Sequence, residues 1–348
     1  MAREEIDSDE NPNNWQVLYP DEITRSIYWT ERAQHHHKDP LLLLSNSFQL
    51  TQAIHQAAIA ISEADAILFV TGAGAGVDMG LPDFRTSAQF WKDLNHPGIE
   101  RYEDSSDTIL FEREPEFMWG LNYSQLDRYR KAEVHEGYLA MAELMNMKKD
   151  KGNYFCYTSN IDGVLKRVCG IDPSRVREIH GNIHQLQCVN YDCLERASGR
   201  RHGAVWDERV EMEYDPVTYY ATSPLPTCRH CGGLARPNVW YCKDSNYVLS
   251  QESRATSETY ERWIGQLEQA KSRVVVVECG AGLVIPSARI ESELICERLN
   301  ASLVRINPTD YMVPVGDLAA AYPHSIGIPL GAKNGLVRIL EEVRNLIG

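Results

Sequence analysis

No stretch of this chain is apolar for long enough to span a bilayer, and the longest early run, Leu41-Leu-Leu-Leu44, is bounded by polar residues. An excess of positive charge is also missing. Lys and Arg total 35 against 49 Asp and Glu, a formal net charge of −14. That balance argues against a nucleic-acid backbone or an anionic membrane as the main partner, and favours a basic or neutral one. The opening residues, Met1-Ala-Arg-Glu-Glu-Ile-Asp-Ser-Asp-Glu10, lack the basic-then-apolar order of a secretory signal. No internal repeat occurs. What is present is ordinary for a globular protein: 348 residues, 43% hydrophobic and 24% charged. This is enough for one large α/β domain with a smaller module, or for two domains. Nine cysteines at irregular spacing point to a reducing compartment with some thiolates on metal. The expectation is an intracellular protein, cytoplasmic in the simplest reading.

The most informative segment runs from Val70 to Arg85. It begins at the end of an apolar run, Ala66-Ile-Leu-Phe-Val70, which predicts a buried strand. Gly72, Gly74 and Gly76 follow. Lacking Cβ atoms, they allow tight turns and would let backbone N–H groups approach a pyrophosphate. Gly80-Leu-Pro-Asp-Phe-Arg85 comes next, placing an acid, an aromatic and a guanidinium beside that turn.

Strands and helices alternate around this segment. Residues 1–44 form a polar N-terminal extension whose run Gln34-His-His-His-Lys38 reads as a solvated loop. Leu50, Ile54, Ala57, Ala58 and Ile61 share one face of a helix that Ser47 or Thr51 would cap. Residues 86–132, rich in Phe, Trp and Tyr, read as a helical insertion or lid. A helix over Glu133–Met147 precedes a buried strand, Tyr154–Thr158, which ends in Ser159-Asn-Ile-Asp-Gly163. Tyr260, Trp263, Ile264 and Leu267 mark another helix. Arg273–Cys279 is the clearest parallel-type strand, ending in Gly280-Ala-Gly-Leu-Val-Ile-Pro286. A helix over about 287–299, a strand Ser302–Ile306 ending at Asn307, and a helix with Leu336, Ile339, Leu340, Val343 and Ile347 on one face complete the chain. This order predicts a doubly wound parallel α/β sheet, Rossmann-like, with ligands at the carboxyl ends of its strands.

Cys188-x4-Cys193 and Cys228-x2-Cys231 read as a four-thiolate zinc site. Four cysteines leave no open coordination position, so the metal would be structural. His230 lies between two ligands and reads as solvated; Cys156, Cys169, Cys242, Cys279 and Cys296 read as ordinary buried or half-buried thiols.

Taken in order, these pieces resemble the sirtuins, the family of NAD-dependent protein deacylases and related ADP-ribosyl transferases. Gly72-Ala-Gly-Ala-Gly-Val-Asp-Met-Gly-Leu-Pro-Asp-Phe-Arg85 is similar to GAGxSxxxGIPDFR. Thr158-Ser-Asn-Ile-Asp162 is similar to TQNID, and Val176-Arg-Glu-Ile-His-Gly181 to VxExHG. Leu234-Ala-Arg-Pro-Asn-Val-Trp240 resembles RPxVVWFGE, Gly280–Pro286 resembles GTSLxVxP, and Ile306-Asn307 the IN pair. The matches run from about residue 50 to 345. The resemblance implies a Rossmann-like part at about 45–85, 133–183 and 241–348, the insertion at 86–132, a zinc module at about 184–240, and a cleft between them.

It also implies roles. Gly72, Ala73, Gly74, Asp83, Phe84 and Arg85 would line an NAD pocket, with Ser159, Asn160, Ile161 and Asp162 around the nicotinamide. Gly280, Ala281 and Asn307 would hold the adenosine end, and Val239 and Trp240 would flank an acyl-lysine tunnel. His180 would be the general base, with Asn160 and Asp162 sharing the catalytic work. The implied reaction consumes NAD to remove an acyl group from a protein or peptide lysine, giving nicotinamide and O-acyl-ADP-ribose. The alternatives are protein ADP-ribosyl transfer, NAD hydrolysis, and a weakly catalytic NAD sensor or scaffold. The residue types suit the chemistry. An amide and a carboxylate on the same side of an extended segment orient a carboxamide, and an imidazole titrates where a base for a ribose hydroxyl must. His184 is placed one helical turn beyond His180 and reads as structural. The chain departs from the family at Gly76, Ser159, Ala281-Gly282 and Tyr241-Cys242-Lys243, where polar contacts near the ribose or the tunnel are altered.

Overall fold

The computed structural model describes residues 47–81, 88–94, 96–148, 153–197, 204–242, 244–283, 285–313 and 325–348. The N-terminal extension with its His run, and Asp83, Phe84 and Arg85, lie outside the described residues. In chain order the elements are α1 (Ser47–Glu63), β1 (Ala66–Thr71), a 3-10 turn (Ala73–Met79), α2 (Ala88–Leu94), α3 (Tyr102–Ser105), α4 (Leu110–Arg113), α5 (Pro115–Lys131), α6 (Glu136–Asn146) and β2 (Tyr154–Thr158). There follow α7 (Val164–Arg167), β3 (Val176–Glu178), β4 (Gly181–Cys188), α8 (Tyr191–Ala197), β5 (Val205–Asp207), β6 (Ala235–Val239) and α9 (Gln251–Ala270). Last come β7 (Val274–Cys279), α10 (Ser287–Leu299), β8 (Ser302–Ile306), β9 (Ile326–Ile328) and α11 (Ala332–Ile347).

Six strands form one parallel sheet in the order β3-β2-β1-β7-β8-β9. The continuous apolar runs of β1 and β7 follow from burial on both faces. Ile67, Phe69, Val275 and Val277 point into a core with Ile54 and Ala58 of α1, Met141 and Met145 of α6, and Ile339 and Val343 of α11. Their neighbours Leu68, Val70 and Val276 face the other way, onto Tyr260, Trp263 and Ile264 of α9 and Ile295 of α10. The sheet is doubly wound, as the alternation predicts, and its order reverses between β1 and β7. At such a point the loops leaving the two strands diverge and open a crevice.

A second core joins the insertion to the cysteine module. Strands β5-β4-β6 form a small antiparallel sheet. Ile183, Leu186, Trp206 and Val239 from this sheet pack with Trp91, Phe111, Phe117, Trp119 and Leu126 of the insertion. Trp119 Nε1 donates to the Ala235 carbonyl at 2.8 Å, tying α5 to β6. The expected division at 183/184 falls inside β4, which begins at Gly181.

Several local expectations change. His184 lies on a strand, not a helical turn beyond His180. Cys169 is exposed rather than buried. Ile347 ends the last helix 63% exposed, one turn past the covered stripe. No helix among the described residues is long and apolar enough to cross a membrane.

The reversal point rests on Gly280, whose φ is +62° and whose added Cβ would lie 2.2 Å from the Ala75 nitrogen. Gly280→Ala therefore combines left-handed backbone strain with a clash against main chain, and is expected to cost roughly 3 kcal/mol of unfolding free energy. Urea denaturation checks this.

Candidate functional site

The glycines after β1 serve a contact that their sequence did not announce. Gly72 N donates to Cys279 O at 3.0 Å, Gly74 N to Gly280 O at 3.0 Å, and Ala75 N to Gly72 O at 3.0 Å. A Cβ on Gly72 would lie 2.7 Å from Gly280 O, and one on Gly74 2.9 Å from the same atom. Their freedom from side chains thus lets the ends of β1 and β7 touch. The amides expected to face a pyrophosphate are, at these positions, taken up by protein carbonyls. Ala73 and Gly74 are half-buried beside the crevice. Gly76 is buried, and a Cβ there would lie 3.2 Å from Leu81 Cδ1.

The end of β2 turns into the same region. Thr158 ends the strand, its hydroxyl 2.7 Å from that of Thr71. Asn160 is half-buried and donates its Nδ2 to Gly72 O at 3.1 Å, while its own N–H donates to Thr158 Oγ1 at 3.0 Å. Ser159 is buried and Ile161 half-buried, with Ile161 packing against the second core. Asp162 is buried, and its Oδ1 accepts from Val164 N at 2.8 Å, bracing the bend that leads into the short α7. Asn160 and Asp162 follow the end of β2 and engage different partners. Burial lifts the Asp162 carboxyl to about 6, against the pull of the Val164 N–H and helped by nearby Glu178. Behind it, His184 Nε2 donates to the Asp162 carbonyl at 3.2 Å, and burial holds the His184 ring below the usual histidine range.

His180 sits between β3 and β4, almost fully buried. Gly181 follows with φ +79°, and a Cβ on it would lie 2.1 Å from Asn238 O. That glycine lets β4 pair with β6, placing Gly181 opposite Val239. Trp240 N then donates to His180 O at 2.9 Å. The His180 and Trp240 rings meet edge-on at 6.0 Å, and Trp240 stacks on Tyr247 at 6.0 Å. Val239 is buried and Trp240 half-buried on this flank. Past Trp240 the chain turns inward. Tyr241 OH donates to Asn122 Oδ1 at 2.7 Å, and Cys242 N to Ser106 Oγ at 3.1 Å.

On the far side of the crevice, Asn307 is buried and faces the loop rather than open space. Its Nδ2 donates to Ala281 O at 3.0 Å, and its Oδ1 accepts from Thr309 N and Asp310 N, each at 3.0 Å. Gly280 and Ala281 are buried in the same contact. Two functional candidates escape the sequence reading, and a third reads there only as structural. Arg289 donates to Ala281 O at 3.0 Å, Ser287 lies against His180, and His184 backs Asp162. Nothing in their spacing distinguishes Ser287 or Arg289; in the sequence His184 reads as structural, one helical turn beyond His180.

The four cysteines converge. Their sulfurs lie within 4.8 Å of one another, with Cys188 to Cys231 at 3.6 Å and Cys193 to Cys228 at 3.8 Å. A tetrahedral zinc with Zn–S bonds of about 2.3 Å has sulfur edges of roughly 3.8 Å. The donor set and the spacing both fit a structural zinc site. His230 is exposed beside it, its ring 6.2 Å from that of Trp206.

The Sir2 family profile matches residues 72–264, more than half of the chain. The chain is 29% identical over 221 residues to an NAD-dependent protein deacylase of Thermococcus kodakarensis, covering 63% of this chain and 72% of that protein. It is 26% identical over 286 residues to an NAD-dependent protein deacylase of Aquifex aeolicus, covering 81% and 97%. Among solved structures, a Sir2 homologue in complex with NAD superposes with a TM-score of 0.58 at 20% identity, covering 91% of this chain and all of that one. A mutant Sir2 homologue bound to 2'-O-acetyl ADP ribose also gives 0.58 at 20% identity, covering 84% and 96%. At such identity the structural likeness speaks for the fold.

Metal analysis of the purified protein is expected to find a single zinc per chain. Because Cys188, Cys193 and Cys228 belong to the second core, replacing Cys228 and Cys231 with serine should remove the metal and loosen the packing around Trp119 and Trp206. Tryptophan fluorescence reads that loss, and zinc retained in the double variant would rule out the four-thiolate site.

Proposed function

The chain belongs to the Sir2 family, and from that premise we propose that it is an NAD-dependent protein lysine deacylase which consumes NAD and releases nicotinamide and O-acyl-ADP-ribose. The observation that carries the reading is a convergence. Asn160, just past the end of β2, reaches Gly72 O at the β1–β7 contact, Asp162 follows two residues on, and His180, just past the end of β3, lies against the Ser159 carbonyl, all at the carboxyl edge of the parallel sheet. This is where a doubly wound sheet binds its ligand.

Each residue has a part that its surroundings suit. Asn160 and Asp162 hold the nicotinamide carboxamide, the carboxylate through the oxygen that Val164 does not take. Ser159 and Ile161 flank the nicotinamide and Ala73 and Gly74 line the pocket, while Gly280, Ala281 and the loop that Asn307 braces shape the adenosine end. Asp83, Phe84 and Arg85 complete the pocket, Phe84 excluding water and Arg85 pairing with phosphate. Val239 and Trp240 flank the acyl-lysine. His180 takes the proton of a ribose hydroxyl once nicotinamide has left, so that the hydroxyl attacks the acyl carbon. A zinc held by Cys188, Cys193, Cys228 and Cys231 would be structural and would brace the small sheet from which β4 and β6 present Gly181 and Val239.

The test mixes the protein with NAD and a panel of acyl-lysine peptides and weighs the products. O-acyl-ADP-ribose supports deacylation. ADP-ribose formed without peptide indicates hydrolysis, and a mass gain on protein indicates ADP-ribosyl transfer. NAD bound but never consumed would sink every enzymatic reading and leave a sensor.

The Asp162 carboxyl should make the reaction pH-dependent. It is raised to about 6, so it is ionised above that pH and accepts from the carboxamide, and protonated below it. Nicotinamide capture, read as kcat/KM for NAD, is expected to fall as pH drops through about 6. Stability carries the opposite sign. A raised carboxyl favours the fold at low pH, and that support is lost as pH rises through the folded value. Asp162→Asn is therefore expected to remove the inflection in kcat/KM and to stabilise the fold by about 3 kcal/mol at neutral pH. pH-rate profiles and urea denaturation at matched pH check the two halves.

A further inference from the structure

Ser287, the first residue of α10, places its Oγ 3.4 Å from His180 Nε2. The other ring nitrogen, Nδ1, lies 3.1 Å from the Ser159 carbonyl oxygen. A carbonyl only accepts, so Nδ1 carries the hydrogen, and in the neutral ring Nε2 holds the lone pair. Ser287 therefore donates to the atom that takes up the proton if His180 is the base. The arrangement has the logic of a base held between an orienting acceptor and a hydroxyl, and such contacts are often long before substrate binds.

The next turns of α10 hold Ser287 in place. Arg289, fully buried, donates to Ala281 O at 3.0 Å and to Asp310 O at 2.6 Å. One turn on, the buried Glu293 pairs with Arg305 at 2.8 Å. Arg305 is bidentate on Glu278, at 2.7 and 3.1 Å, and donates to Met312 O at 2.7 Å. Two arginines and two glutamates thus balance with no net charge and pin the start of α10 to the loops leaving β7 and β8. A buried pair of this kind costs desolvation and gains little stability, but it fixes geometry.

We propose that Ser287 is a positioning residue for His180. Its hydroxyl holds the imidazole in the base-competent tautomer and rotamer, then yields Nε2 to the ribose hydroxyl as substrates fill the crevice. Once the ring is protonated, the same hydroxyl turns to accept from Nε2–H. The inference rests on the reading of His180 as the base, and the test separates the two. Wild type, Ser287→Ala, Ser287→Thr and His180→Ala, each checked for its unfolding midpoint, are compared in three measurements. These are NAD affinity by calorimetry, exchange of isotope-labelled nicotinamide, and kcat for O-acyl-ADP-ribose. Ser287→Ala should lower kcat about fivefold, the worth of one ordinary hydrogen bond. NAD affinity and nicotinamide exchange, which precede the need for a base, should stay unchanged, and Ser287→Thr should restore the rate. A Ser287→Ala protein with wild-type kcat, or with NAD affinity falling in parallel, overturns the positioning role. Product formation by His180→Ala overturns the base reading instead.

Discussion

Backbone contact between the ends of β1 and β7 is the constraint on which the rest of the site depends. Gly74 N reaches Gly280 O at 3.0 Å only because Gly72, Gly74 and Gly280 carry no side chains between the two chains. With that contact made, Gly72 O is in place to receive Asn160, and Ala281 O to receive Asn307 and Arg289. The segment after β2 and the loop after β7 are thus referred to one pair of strand ends. A side chain at any of the three glycines would move both together, because close-packed backbone transmits displacement rather than absorbing it.

The second anchor is β4. It starts at the residue after His180 and ends at Cys188, the first cysteine of the four-thiolate cluster, so one strand joins His180 to that cluster. A zinc held there would bear on the site only through geometry. It would fix the far end of β4; the β4–β6 register sets Val239 opposite Gly181, and the Trp240 amide closes on the His180 carbonyl. The insertion is part of the same device, since Trp119 and Asn122 of α5 grip Ala235 and Tyr241 on either side of β6.

The sheet was legible because its physics is local. β1 and β7 are covered on both faces, and such strands read as unbroken apolar runs. The four cysteines were legible for the same reason, as two close pairs. What could not be read depends on partners distant in sequence. Trp119 meets Ala235, and Asn122 meets Tyr241, across more than a hundred residues of chain. Glu278 and Arg305 look like stray charges in otherwise apolar strands until the sheet sets them side by side. His180 and His184, four apart, mimic a helical pair, and only the pairing of β4 with β6 shows that the segment is extended. The short strands β3, β5 and β9 hold too few residues to show an alternation at all.

The departures from the family pattern acquire a physical meaning in this setting. Gly76 stands where the resembled motif has serine, and a Cβ there would press on Leu81 at 3.2 Å, so the turn and Leu81 have settled together. Ala281 and Gly282 carry no hydroxyl with which to brace their own loop. The bracing comes from below instead, with Asn307 and Arg289 both donating to the Ala281 carbonyl and Arg289 itself held by the charges under β7 and β8. Burial and the neighbouring Arg305 bring the Arg289 guanidinium down to about 10, still charged at physiological pH and still a donor. Rigidity that a surface hydroxyl would supply one bond at a time is here supplied by a buried network, which fails as a unit if any member is removed. The loop is therefore less adjustable than its small residues suggest. Variation in the acceptor is left to the other wall of the crevice, where Tyr241 has turned into the core and the chain runs on through Cys242.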